Sequence, residues 1–166
     1  MQSLMALLSS IESTPLAELI RESDWAFPAI ESVHVIALAL VIGTITIVDL
    51  RLLGLASAGR AYSELARLVL PWTWGAFVLA ALSGVAMFIS QPQTYLDNLA
   101  FRIKLLLLLL AGINMLVFQL IVGRGVPRWD HDAAPMAGRI AAALSLVLWI
   151  AIVFFGRRIG FTRVST

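Results

Sequence analysis

Six side chains with chemical potential stand in otherwise apolar stretches: Glu31, His34, Asp49, Met87, Asn114 and Gln119. Ionisable and amide groups in such surroundings are costly to hold and mark candidate sites. Glu31 and His34 are one helical turn apart, so the carboxylate could fix the imidazole tautomer or raise its basicity. At about 100° per residue, Glu31, His34 and Asp49 fall within about 60° of one another around a helix. That face reads acid, imidazole, apolar stretch, acid. Met87 falls at the depth of His34 on another segment, and a His–Met pair is an accepted ligand set for haem or copper.

Three chemistries compete for His34. It could bond Asn114, Ser83 or a backbone carbonyl and lock neighbouring helices together. As a neutral imidazole it could ligate haem b or copper, with Met87 opposite. Along the Glu31–His34–Asp49 face it could pass protons or ions, although the apolar middle of that face offers no relay. Asp130-His131-Asp132 could hold a divalent ion, but with no further ligands nearby it reads as a solvated loop. Asp49 and Arg51 could pair with charges in the loop that follows them. There is no cysteine, and no phosphate loop, nucleophile elbow or zinc-protease pattern. We therefore expect no independent catalytic activity.

The elements that must position these residues follow from composition. The 166 residues are 60% hydrophobic and 13% charged, with a mean hydropathy of +0.93. Soluble chains are nearer 25% charged, so this chain belongs in a bilayer. The pI of about 9.7 accompanies a net charge of only +2, with no basic run, which excludes a nucleic-acid partner. No charged residue lies between Glu31 and Asp49, Arg67 and Asp97, Lys104 and Arg124, or Arg139 and Arg157. A helix needs about 20 apolar residues to cross the hydrocarbon core, and backbone groups in lipid must be satisfied within the helix. The spacing predicts spans near 27–50, 70–90, 101–122 and 136–156. Pro28 and Pro135 suit first turns, while Pro71 and Pro92 bracket the second span. Trp25, Trp72, Trp74, Tyr95 and Trp129 fall near span ends as an aromatic belt, and Trp149 lies deeper, against a helix.

Residues 1–24 form a separate arm. Leu4, Leu7, Leu8 and Ile11, then Leu16, Leu19 and Ile20, repeat at helical spacing. Thr14-Pro15 reads as a cap and restart. The arm is acidic and amphipathic, and it suits the membrane interface. Ala76, Ala80, Ser83 and Met87, with Gly138, Ala142, Ser145 and Trp149, form close-packing stripes on the second and fourth spans, available to the bundle or to a homo-oligomer. Asn114 needs a partner across the bundle. Arg102 and Lys104 have stems long enough to snorkel. The lysines and arginines split evenly, with Arg21, Arg102, Lys104, Arg157, Arg158 and Arg163 on the side of the termini. Arg51 and Arg60 after the first span favour an outside N-terminus.

The segments Glu31-Ser-Val-His34, Asp49-Leu-Arg-Leu-Leu-Gly54, Pro71-Trp-Thr-Trp74, Phe101-Arg-Ile-Lys104 and Ala111-Gly-Ile-Asn114 resemble a bacterial family of four-span membrane proteins of unknown function. The resemblance runs from about Trp25 to Gly160 and implies a multi-pass protein of the bacterial inner membrane. A looser, architectural similarity links the chain to copper-resistance protein D and small b-type membrane cytochromes. Within that resemblance a histidine is expected after the phenylalanine closing the third span, where this chain has Phe118-Gln119. The expectation is an all-α integral membrane protein: an antiparallel four-helix transmembrane bundle over 25–166 with an interfacial arm. Its expected function is a haem- or copper-binding, electron-transfer subunit using His34. The alternatives are a structural or assembly protein scaffolding a membrane-complex partner, and a proton or ion pathway.

Overall fold

The computed structural model describes residues 2–57 and 59–162, with side chains over 6–57 and 59–161. Arg163 and the Leu4 side chain, used above, lie outside the described residues. The described elements are helical: α1 (Gln2–Glu12), α2 (Pro15–Glu22), α3 (Ala26–Leu53), α4 (Tyr62–Ser90), α5 (Pro92–Asp97), α6 (Leu99–Val117), α7 (Val126–Trp129) and α8 (Met136–Thr162). Thr14 caps α2, its hydroxyl accepting from the Ala17 amide at 3.4 Å, with Pro15 in the first turn. Ala17 and Ile20 are buried while Leu16 and Leu19 stay exposed, and α2 packs on α3 and α4.

Four helices are long and apolar enough to cross a membrane, so the chain is a multi-pass membrane protein. The first begins and ends close to expectation, and Gly54 terminates it in the left-handed region at φ 76°, a conformation a Cβ disfavours. The second departs from expectation. It starts at Tyr62 rather than near residue 70, and Pro71 sits inside it. Proline in a helix forfeits a single backbone hydrogen bond and kinks the axis. The segment before it is held by tertiary packing instead: Tyr62, Leu65 and Ala66 are buried, and Tyr62 and Ala66 pack with Val48, Leu52, Ala134 and Ala142. The third span carries on past α6 through a π turn over Phe118–Val122 and a 3-10 turn to α7. The fourth runs on to Thr162.

Neighbouring helices are ordered α4–α3–α8–α6, with α4 on α3 the most extensive seam. The stripes read from sequence lie on these seams: Ala76, Ala80, Ser83, Gly138, Ala142 and Trp149 are buried. Polar pins reinforce them. Thr73 donates to Thr44 across α3–α4 at 2.9 Å, and Asn114 donates to the Ala141 carbonyl across α6–α8 at 2.9 Å. The bundle is not uniformly closed, because α4 and α6 share no extended seam. Aromatic clusters bridge them at either end. Phe88 stacks on Phe101 with centroids 5.8 Å apart, and Tyr62 meets Phe118 at 6.0 Å and Trp129 at 5.2 Å.

Candidate functional site

Between those two clusters the four long helices enclose a half-open cavity of about 260 Å³. Its back wall comes from α3 and α8, where Val41, Val48, Asp49, Leu52, Ala142 and Trp149 are all buried. Its rim comes from α4, α6 and the π turn after α6, where Trp74, Phe77, Gly112, Met115 and Gln119 line it and remain exposed. The mouth therefore lies between α4 and α6, on the surface that lipid covers. The π turn matters locally. An i→i+5 turn is wider than an α turn, and the adjacent residues Phe118 and Gln119 both reach the lining.

Asp49 is the chemical centre of this cavity. It is 6% exposed, and its Oδ2 accepts no hydrogen bond. Oδ2 and the Arg139 Nε are the buried side-chain atoms without a partner among the described residues, and of these two residues only Asp49 lines the cavity. Ser145 of α8 shares the cavity lining with it. Of the neighbouring polar groups in the lining, Asn114 gives one amide hydrogen to Ala141, and Thr73 bonds Thr44 and the Val69 carbonyl. A buried polar atom without a partner costs about 1–3 kcal/mol, so the fold carries Asp49 at a cost.

His34 belongs to the other half of the bundle. At a rise of about 1.5 Å per residue it stands some 22 Å from Asp49 along α3. Its Nδ1 lies 2.8 Å from the Ala80 carbonyl and 3.0 Å from Ser83 Oγ. A carbonyl only accepts, and the Ser83 hydroxyl itself donates to Leu79 at 2.7 Å. The proton therefore sits on Nδ1, which donates to α4 and leaves Nε2 as the lone-pair nitrogen. A Cβ on Gly84 would stand 3.1 Å from the ring, so the glycine makes room for it. Glu31 is exposed, and α4 rather than this carboxylate orients the imidazole. Met87 is partly buried with Phe88 against Tyr95, Ala100 and Ile159. Along α3, the fully buried Ala37 stands between His34 and Val41, the first wall residue of the Asp49 cavity.

The loops at the Asp49 end are fastened by Arg51, which is 1% exposed. Its Nε donates to the Arg60 carbonyl at 2.7 Å, and one terminal nitrogen donates to Asp130 and Asp132 carbonyls at 3.1 and 3.3 Å. The expected pairing of Asp49 or Arg51 with loop charges is thus replaced by a clamp on backbone carbonyls. Asp130 adds a second fastening, accepting from the Ser63 amide at 2.7 Å and hydroxyl at 2.6 Å. The Ser63 hydroxyl, then its amide, hold the Asp130 carboxyl below the usual carboxylate range. Among the described residues no group of three or more metal-ligating side chains assembles, and Asp130 is spent on a helix start.

The structure brings Asp49, Asn114 and Gln119 to one cavity and leaves Glu31, His34 and Met87 outside its lining. Sequence reasoning missed Ser145, read as a packing residue, and Tyr62 as members of this lining, and Arg51 as a clamp. Lys104, expected to snorkel, lies along α8, its ammonium 3.8 Å from where a Gly156 Cβ would stand. Arg51 and Lys104 did carry a signal, being cations next to long apolar runs. The fold and cavity together define a class: a small multi-pass membrane protein with a lipid-facing cavity built around one buried carboxyl. Residues 26–162 match the model of a family of unknown function (DUF6644), and the chain belongs to that family. No curated protein and no solved structure matches it.

Proposed function

We propose that the protein is a membrane-embedded binding protein that takes a small lipid-phase molecule into the Asp49 cavity through the mouth between α4 and α6. The observation that carries this reading is the cavity itself, about 260 Å³ and largely apolar in its lining, with the buried Asp49 in its wall and a rim that faces lipid. Pockets of this kind, mostly apolar with a few converging polar groups, are the usual form of small-molecule sites. Gly112→Leu tests it. Gly112 lines the rim and a Cβ there meets nothing within 4 Å, so a larger side chain is added at the mouth without backbone conflict. Gly43→Leu is the control, equally free of clashes and outside the lining. Mass spectrometry of purified protein should find a co-purifying small molecule with wild type and Gly43→Leu and lose it with Gly112→Leu. Identical profiles for the three proteins would refute the reading.

A haem b or copper centre on His34 and Met87 is the second reading. It is favoured by the Nδ1 hydrogen bond to Ala80, the arrangement that presents Nε2 to a metal. A visible spectrum of protein prepared with haem and copper supplied tests it, because a band lost in His34→Ala is its signature and a colourless, metal-free preparation rejects it. We further propose a bacterial inner-membrane location with the N-terminus outside, from Arg51 and Arg60 after the first span. The chain has no cysteine, so single cysteines introduced in the arm and in the α3–α4 loop report sidedness without background labelling.

A further inference from the structure

Lys104 is a cation whose surroundings supply no counter-charge. Its stem lies along α8, with Nζ 3.8 Å and Cδ and Cε 3.9 Å from where a Cβ on Gly156 would stand, so the glycine leaves a groove that holds the lysine. Among the described residues Lys104 makes no hydrogen bond and no ion pair. Its Nζ is not sealed off either, because the unpartnered side-chain atoms without surface are Asp49 Oδ2 and Arg139 Nε. The His34 imidazole lies within reach of this charge, but it holds its proton on Nδ1 and offers no anion. Neither α6 nor α8 contains an acidic residue. The acids on this side of the membrane stand on the arm, the start of α3 and α5, and the arm packs on α3, α4 and α5.

The level of this cation in the bilayer selects its partner. The charge-free run from Leu105 to Gly123 is about 28 Å long as helix, close to a hydrocarbon core of about 30 Å. Lys104 therefore stands at the edge of the core, where lipid headgroups begin. Arg157 closes the charge-free run of α8 at the same edge. It is exposed and next in sequence to Gly156, and its guanidinium stands 5.5 Å over the Phe161 ring, a contact that leaves N–H donors for an acceptor. We infer that Lys104, with Arg157 beside it, binds the phosphate of an anionic phospholipid at the α6–α8 seam, in the leaflet on the side of the N-terminus. Ammonium and phosphate form charge-assisted hydrogen bonds, and basic sites between transmembrane helices select anionic headgroups in this way. The site is separate from the Asp49 cavity, whose lining Lys104 does not join.

The test offers the full chain, purified in detergent, a mixture of phosphatidylglycerol and phosphatidylcholine with the same acyl chains, and native mass spectrometry counts the lipids retained. Both lipids carry the phosphate, but Lys104 and Arg157 repel the choline cation. Wild type should retain the glycerol lipid about tenfold over the choline lipid, the scale of two unit charges repelling across about 10 Å at a protein surface. The preference should fall to about twofold or less in Lys104→Gln and persist in Lys104→Arg. It should also persist in Arg102→Gln, since Arg102 is exposed and about 200° round α6 from Lys104. Equal retention of the two lipids by wild type overturns the site, and that comparison needs no variant to fold. A preference that survives Lys104→Gln, or that falls as far in Arg102→Gln, overturns it too. Excess inorganic phosphate should leave the glycerol-lipid adducts in place, and their displacement overturns the choice of a lipid over a free anion.

Discussion

Replacing Arg51 with methionine should loosen the end of the bundle that closes the cavity. The guanidinium makes three bonds to carbonyls, of which the 2.7 Å bond to Arg60 is the shortest. A hydrogen bond with a charged partner contributes about 1.5–3 kcal/mol. The two longer bonds contribute less, and the Asp130 carbonyl keeps the Tyr62 amide at 2.9 Å. Methionine preserves much of the apolar stem packing. The net loss is therefore about 3 kcal/mol, nearer one strong bond plus two weak ones than three strong ones. For a chain of this size about 2–4 °C of Tm accompanies each kcal/mol, so a drop of roughly 6–12 °C is expected. Thermal unfolding in detergent, followed by circular dichroism, measures it. Limited trypsin digestion gives a local check, because cleavage after Arg60 attacks the carbonyl that Arg51 holds, and the variant should be cut faster there. Arg51→Lys should recover less than half of the loss, since a point-like ammonium cannot span three carbonyls. A loss below about 1 kcal/mol with unchanged cleavage after Arg60 would refute the clamp and the energetics assigned to it.

Other perturbations separate stability from function. Asp49→Leu should stabilise the protein by about 1 kcal/mol in denaturant titration, because it removes an unpartnered buried oxygen; a destabilisation of similar size would contradict the stated cost. His34→Phe should destabilise by about 1–2 kcal/mol by removing the imidazole donor to Ala80, and Gly84→Val should loosen the same seam, both read by unfolding in detergent. Asp130 offers a pH test. Its carboxyl is held below the ordinary value of 3.8, so its contribution is complete above that value and lost as the pH falls through the lower folded value. Acid titration of thermal stability should show this loss in wild type and not in Asp130→Asn.

Much of the fold was legible because the signals are local. Thr14-Pro15, Gly54 and the charge-free intervals each act through a few neighbouring residues, and the helices start and stop near them. Tyr62–Leu70 was missed because its helix is stabilised by contacts with residues far along the chain, not by its own apolarity. The π turn at Phe118–Val122 leaves no mark in composition. Among candidate residues, Asp49 was grouped with Glu31 and His34 because all three share a helix face. Their separation along the axis, and the different helices each half of α3 meets, assign them to different surroundings.

The sequence by itself determined the solvent and the number of crossings. Hydropathy summed over a helical length is enough to decide whether a segment enters lipid, and no partner is needed for that decision. Which polar groups meet was decided only by tertiary structure. Lipid exerts no hydrophobic drive between helices, so their arrangement depends on small-residue seams and single hydrogen bonds between segments remote in sequence. The gap left between α4 and α6, and the carboxyl buried in the wall behind it, are consequences of that arrangement.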